Sequence, residues 1–125
     1  MKVRVLSKIA DRVKVKSLIG IFEAKWCTET PVVSRQYYVE LDSKEKLTLD
    51  AIIKVPKWRG AEISYEDDVV YLTGYVEDVE DHMLFLRLGE SLMMVNLSQD
   101  QKFDEFKEQY VCVKLKEINL YDIGI

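Results

Sequence analysis

Histidine occurs once in this chain, at position 82, and cysteine twice, at 27 and 112. A Ser-His-Asp or Cys-His nucleophile would have to use His82. That residue falls at a predicted turn among acids, the setting of a surface side chain. Two cysteines and one histidine lack the spacing of a structural zinc site. There is no Gly-rich phosphate loop, and the acids at Asp67-Asp68 and around Glu77–Asp81 lack the spaced ligands and the glycine of an EF-hand loop. The expectation is a protein that is not an enzyme, with no cofactor and no metal. No apolar run reaches the ~18 residues of a membrane-spanning helix. The basic start Met1–Leu6 leads into neither a long apolar stretch nor a small-residue cleavage site. With two isolated cysteines, this reads as a cytoplasmic protein with reduced thiols and no membrane contact. Proline is limited to Pro31 and Pro56, and no linker-like or low-complexity segment breaks the chain. A hydrophobic content of 48% over 125 residues then predicts one domain, 1–125, with a real core.

What is present is period-two alternation. Val69–Leu97 reads as three strands joined by two tight turns. Val70, Leu72, Gly74 and Val76 fall on one face of the first strand, and Tyr71, Thr73, Tyr75 and Glu77 on the other. Leu84, Leu86 and Leu88, then Met93, Val95 and Leu97, continue the apolar face. Gly89 supplies the first central position of a type II′ turn; mid-strand Gly74 marks a bend or bulge. Lys2–Leu6, Arg12–Lys16, Gln36–Asp42 and Leu47–Val55 alternate too, the last two as a hairpin across a charged loop. Ser98–Gln109 reads as the one helix, with an S-x-x-Q capping box and Phe103, Phe106 and Tyr110 at helical spacing. Tyr110–Ile118 is a final strand, and the apolar end, Asn119–Ile125, is expected to dock on the body. The fold class is therefore mainly β, a single antiparallel barrel or sandwich with one short helix near 98–109.

Charge is unevenly divided. Residues 1–59 hold 13 Lys or Arg against 7 acids, whereas residues 60–125 hold 5 against 15. Gly60 through Leu86 contains eight acids and no Lys or Arg. The acid and tyrosine set Glu66, Asp67, Asp68, Tyr71, Tyr75, Glu77, Asp78, Glu80 and Asp81 suits a basic protein partner. Small inhibitors, immunity proteins among them, use such surfaces, so the first expectation is a protein-binding module. A second set, Arg12, Lys14, Lys16, Lys57, Trp58 and Arg59, suits nucleic acid: cations track phosphates and Trp58 could stack on a base. A Trp in such a turn more often packs over the end of a barrel, and a basic strand face is more often solvated.

The order strand, strand, strand, helix, strand from Val69 onward resembles the OB-fold, a five-stranded Greek-key barrel. The resemblance rests on Leu72–Val76, Met83–Leu88, Leu92–Val95, Ser98–Gln109 and Tyr110–Ile118. It implies oligonucleotide binding on the face of strands two and three, which here offers His82, Met83, Phe85 and Arg87 beside an acidic turn. The first 60 residues lie outside that pattern and would be additional strands.

Overall fold

The computed structural model describes residues 1–99 and 101–124. The chain is mainly β, and among the described residues helical turns are limited to single 3-10 turns at Leu49–Ala51, Lys57–Arg59 and Asp104–Phe106. In chain order the strands are β1 (Lys2–Ile9), β2 (Arg12–Ser17), β3 (Gly20–Trp26), β4 (Gln36–Asp42), β5 (Lys46–Leu47), β6 (Ile52–Lys54), β7 (Glu62–Glu66), β8 (Val69–Glu80), β9 (Met83–Leu88), β10 (Ser91–Leu97), β11 (Tyr110–Leu115) and β12 (Asn119–Asp122).

A closed barrel is formed by β1-β2-β3-β12-β4. The first three strands are an antiparallel meander. β12 lies parallel to β3, with Leu120 against Trp26, and antiparallel to β4, with Leu120 against Leu41. β4 returns to β1. Val3, Val5, Val13, Val15, Phe22 and Ala24 fill the interior, because alternation sends their charged neighbours outward. The expected meander β8-β9-β10 lies in a second sheet, ordered β5-β10-β9-β8-β11-β6, with β7 also paired to β8. Its terminal strands β5 and β6 are joined by only residues 48–51. Laid flat, six strands would separate them by about 24 Å, but that link reaches only about 17 Å. The sheet is therefore curled. One continuous hydrophobic core runs through both sheets.

The two halves repeat one plan. Val5 pairs with Val15, and the ladder then skips Leu6 to pair Ser7 with Lys14. Val76 pairs with Leu86, and the ladder skips Glu77 to pair Asp78 with Phe85. Val5 donates its N–H to Arg35 O and accepts from Ser34 N–H; Val76 donates to Gln109 O and accepts from Glu108 N–H. Ser34 and Glu108 both take positive φ, 76° and 60°. Trp26 N–H donates to Asp11 O, and Leu97 N–H to His82 O. Even the parallel bridges match, Leu120 with Trp26 and Leu47 with Leu97. Each half thus supplies a three-strand meander and a fourth strand, and then sends its fifth into the other half. β12 completes the first unit; β5, a 3-10 turn and β6 complete the second. β7 ties the units together: Ile63 N–H donates to Ile19 O, 2.8 Å away. Gly20 permits this approach, since a Cβ there would sit 1.8 Å from Ile63 O.

Several expectations are corrected. The mainly β barrel-or-sandwich class holds, as a closed barrel plus a second sheet; what changes is its placement, since the first 60 residues, expected as additions, supply four strands of the closed barrel. The helix at Ser98–Gln109 is reduced to the 3-10 turn Asp104–Phe106; Asp100, within the expected span, lies outside the described residues. The capping box does not form: Ser98 Oγ donates to Gln101 Oε1 at 3.2 Å, but the backbone N–H of Ser98 is engaged elsewhere and Gln101 Oε1 accepts a second donor. Ser98 N–H donates to Leu47 O, and Gln101 Oε1 accepts from Leu49 N–H at 2.9 Å. Phe103 and Phe106 are nevertheless buried, as the aromatic stripe implied. The hairpin between Gln36–Asp42 and Leu47–Val55 does not form. Glu45 holds the crossing by accepting from Lys116 and Lys116's neighbour Glu117 at 2.8 and 3.1 Å, so β5 pairs with β10 instead. The 3-10 turn also breaks the face alternation of Leu47–Val55, leaving Ile52 buried and Ile53 exposed. Gly74 marks a close strand approach, since its Cβ would lie 2.3 Å from Arg87 O; the bulge falls at Glu77. Leu120 docks as expected, and Ile125 lies outside the described residues.

Candidate nucleic-acid interface

The outer wall of β1-β2-β3 is built by alternation. Every inward valine in K-V-R-V and R-V-K-V-K places a cation outward. Register then sets those cations side by side: Arg4 faces Lys16 and Arg12 faces Lys25. Lys14 lies between Ser7 and Glu23, and Lys2 faces Tyr38 on β4. Like charges directly opposite are destabilising in a sheet, so this wall is held against its own repulsion. Two cations have partners: Arg12 bonds Glu117 at 3.0 Å, and Arg4 donates to Ser34 O at 2.6 Å. Among the described residues, Lys2, Lys14, Lys16 and Lys25 form no ion pair. A shallow depression of about 410 Å³ on this wall is lined by Lys2, Arg4, Leu6, Lys16, Leu18 and Gln36, among others.

Arg12, Lys14 and Lys16 are brought together as the sequence suggested. Lys2, Arg4 and Lys25 join them and were missed, although the alternation of Lys2–Leu6 held the signal for two of these. Lys57, Trp58 and Arg59 stand apart, on the turn between β6 and β7. Trp58 is 83% exposed, which overturns its expected packing over a barrel end. Five residues of chain keep it within about 18 Å of Ile63, the residue that bonds Ile19 beside Lys16's strand end.

The acid and tyrosine set does not assemble. Glu66 ends β7 and Asp67 and Asp68 form the β7–β8 turn, whereas Glu80 ends β8 and Asp81 stands in the β8–β9 turn. Twelve residues of β8 separate these groups by up to about 36 Å. Between them, Tyr75 packs on Tyr110 with ring centroids 5.1 Å apart, and Tyr71 is half-buried. Glu77 is paired with Arg87, whose hydrogen bond holds its carboxyl below the usual carboxylate range. Asp78 is held down first by Val79 N–H and then by Lys107, 3.3 Å away. Tyr65 donates to Asp68 at 2.9 Å; burial, then that bond, raises its hydroxyl pKa. His82 is exposed on its turn.

The repeat permits an internal comparison. The positions of Arg12, Lys14, Lys16, Ile21 and Glu23 are taken in the second unit by Met83, Phe85, Arg87, Leu92 and Met94. One backbone wall is therefore cationic and its counterpart largely apolar. No group of three or more His, Cys, Asp or Glu among the described residues could hold a metal ion. No described helix is long and apolar enough to cross a membrane. Comparison of the chain with protein-family models, with curated proteins and with solved structures gave no match.

Proposed function

We propose that the protein is a non-enzymatic binding module that takes single-stranded nucleic acid on the outer wall of β1-β2-β3. The observation that carries this reading is the cross-strand basic row of Arg4 with Lys16 and Arg12 with Lys25, with Lys14 between them in the same wall. A polyanion relieves that repulsion and releases counterions on binding. A closed five-stranded barrel entered by a three-strand meander supports an OB-like reading, in which the same wall is the oligonucleotide face. Tyr38, exposed opposite Lys2, offers a ring for stacking, and Trp58 with Lys57 and Arg59 extends the supply of aromatic and cationic groups.

The competing reading, an inhibitor-like acidic surface for a basic protein, has less support because its acids are divided between the two ends of β8. Fluorescence anisotropy with a labelled oligothymidylate of about 12 nucleotides distinguishes the two. Lys14→Glu/Lys16→Glu should weaken binding by at least about tenfold, and Glu80→Lys/Asp81→Lys should not. Absence of binding by the unaltered protein at low salt would remove the proposal.

A further inference from the structure

β10 has an edge that is only partly paired. Leu97 N–H points to β9, donating to His82 O, and Ser98 N–H points the other way, to Leu47 O on β5. By the period of two, the N–H groups of Leu92 and Met94 point to the β5 side as well. β5, however, pairs only with Asn96 and Leu97. Leu92 and Met94 therefore have no strand partner on that edge among the described residues. On the first unit β7 lies beside β3, and Ile63 N–H donates to Ile19 O just before that strand. Beside β10 the neighbouring strand is β4, which forms no ladder with it.

The open edge borders a groove of about 260 Å³ whose other wall belongs to the barrel. Leu92, Met94, Leu41 and Tyr121 supply its apolar surface, with Leu92 and Met94 45% and 54% exposed. Glu40 and Asp42 supply charge, and neither forms an ion pair among the described residues. We propose that this groove takes an extended segment of a partner protein, added as a strand to β10, with alternating apolar and Lys or Arg side chains. The Leu92 and Met94 main-chain groups would bind its backbone, as in strand-addition complexes generally. Glu40 and Asp42 select basic side chains. A second copy fits less well, because a two-fold pairing of β10 edges presents each copy's Glu40 and Asp42 to the same acids of the other.

The test uses the whole protein and two probes, acetyl-(Lys-Val)4-amide and acetyl-(Glu-Val)4-amide. Calorimetry should give at least tenfold tighter binding of the lysine peptide, and Glu40→Lys/Asp42→Lys should reverse that order. Amide exchange measured by NMR should be fast at Leu92 and Met94 in the free protein and slow at least tenfold with the lysine peptide. This readout needs no variant to fold. Equal binding of the two peptides, unchanged exchange at both amides, or light scattering showing a dimer with these amides already protected would each overturn the proposal.

Discussion

Leu120→Ala removes most of a fully buried side chain near the end of the chain, yet its damage should appear in the barrel built from the first half. Leu120 lies between Trp26 on β3 and Leu41 on β4, and with its neighbour Asn119 it pairs β12 with both strands. A Leu→Ala change at such a site costs about 3 kcal/mol, combining lost transfer energy with the cavity left behind. At a urea dependence of about 1.5 kcal/mol per molar, the midpoint should fall by about 2 M. Trp26 is a buried reporter inside that barrel, so the assay is its fluorescence in a Trp58→Phe background, because exposed Trp58 would dilute the signal. Leu47→Ala probes the reciprocal exchange. Leu47 completes the second unit beside Leu97, but if the exchanged strands make the units one cooperative body, it should move the Trp26 transition as well. A loss below about 1 kcal/mol for Leu120→Ala, or a Trp26 transition unmoved by Leu47→Ala, would refute the exchange as a source of stability.

Three further outcomes follow. Gly20→Ala should destabilise by about 2 kcal/mol or more in urea melts, because it meets Ile63 O at 1.8 Å and carries a φ of 149° unsuited to a side chain. Phe106→Ala should cost about 3–5 kcal/mol in the same melts, since the ring is buried on its 3-10 turn beside Phe103. Glu77 ionises at lower pH folded than unfolded, so its stabilising effect is complete above its ordinary value of 4.5 and is lost as pH falls through the lower folded value. Glu77→Gln should therefore show a smaller fall in melting temperature than the unaltered protein between pH 6 and pH 3.

The strands were legible because alternation survives in the residues themselves: the Val3–Val5, Val13–Val15 and Leu84–Leu86–Leu88 patterns each point one face inward. Their partners were not. The repeat is hidden because it keeps burial and not identity: Val13, Val15, Phe22, Ala24 and Trp26 correspond to Leu84, Leu86, Met93, Val95 and Leu97, all buried. The exchange of fifth strands is hidden for another reason. A loop such as Ser43–Glu45 looks like a hairpin turn, and only the distant N–H groups of Lys116 and Glu117 hold it otherwise. Ser98–Gln109 was misread because local capping signals carry no record of Leu47 and Leu49, which engage Ser98 and Gln101. On the outer wall of β1-β2-β3, alternation placed Arg12, Lys14 and Lys16 on one face, whereas setting Arg4 beside Lys16 and Lys25 beside Arg12 required the register. The acid-rich stretch shows the opposite relation, since neighbours in sequence are distributed over the length of β8.

The most direct measurement of the central claim is the salt dependence of oligothymidylate binding. The five cations of the cross-strand row, Arg4, Arg12, Lys14, Lys16 and Lys25, each contributing about 0.7, predict a slope near −3.5 in log K against log salt. Lys14→Glu/Lys16→Glu should flatten that slope by at least about 1.4. A slope near zero, or one that the two reversals leave unchanged, would contradict the assignment of this wall as a nucleic-acid interface.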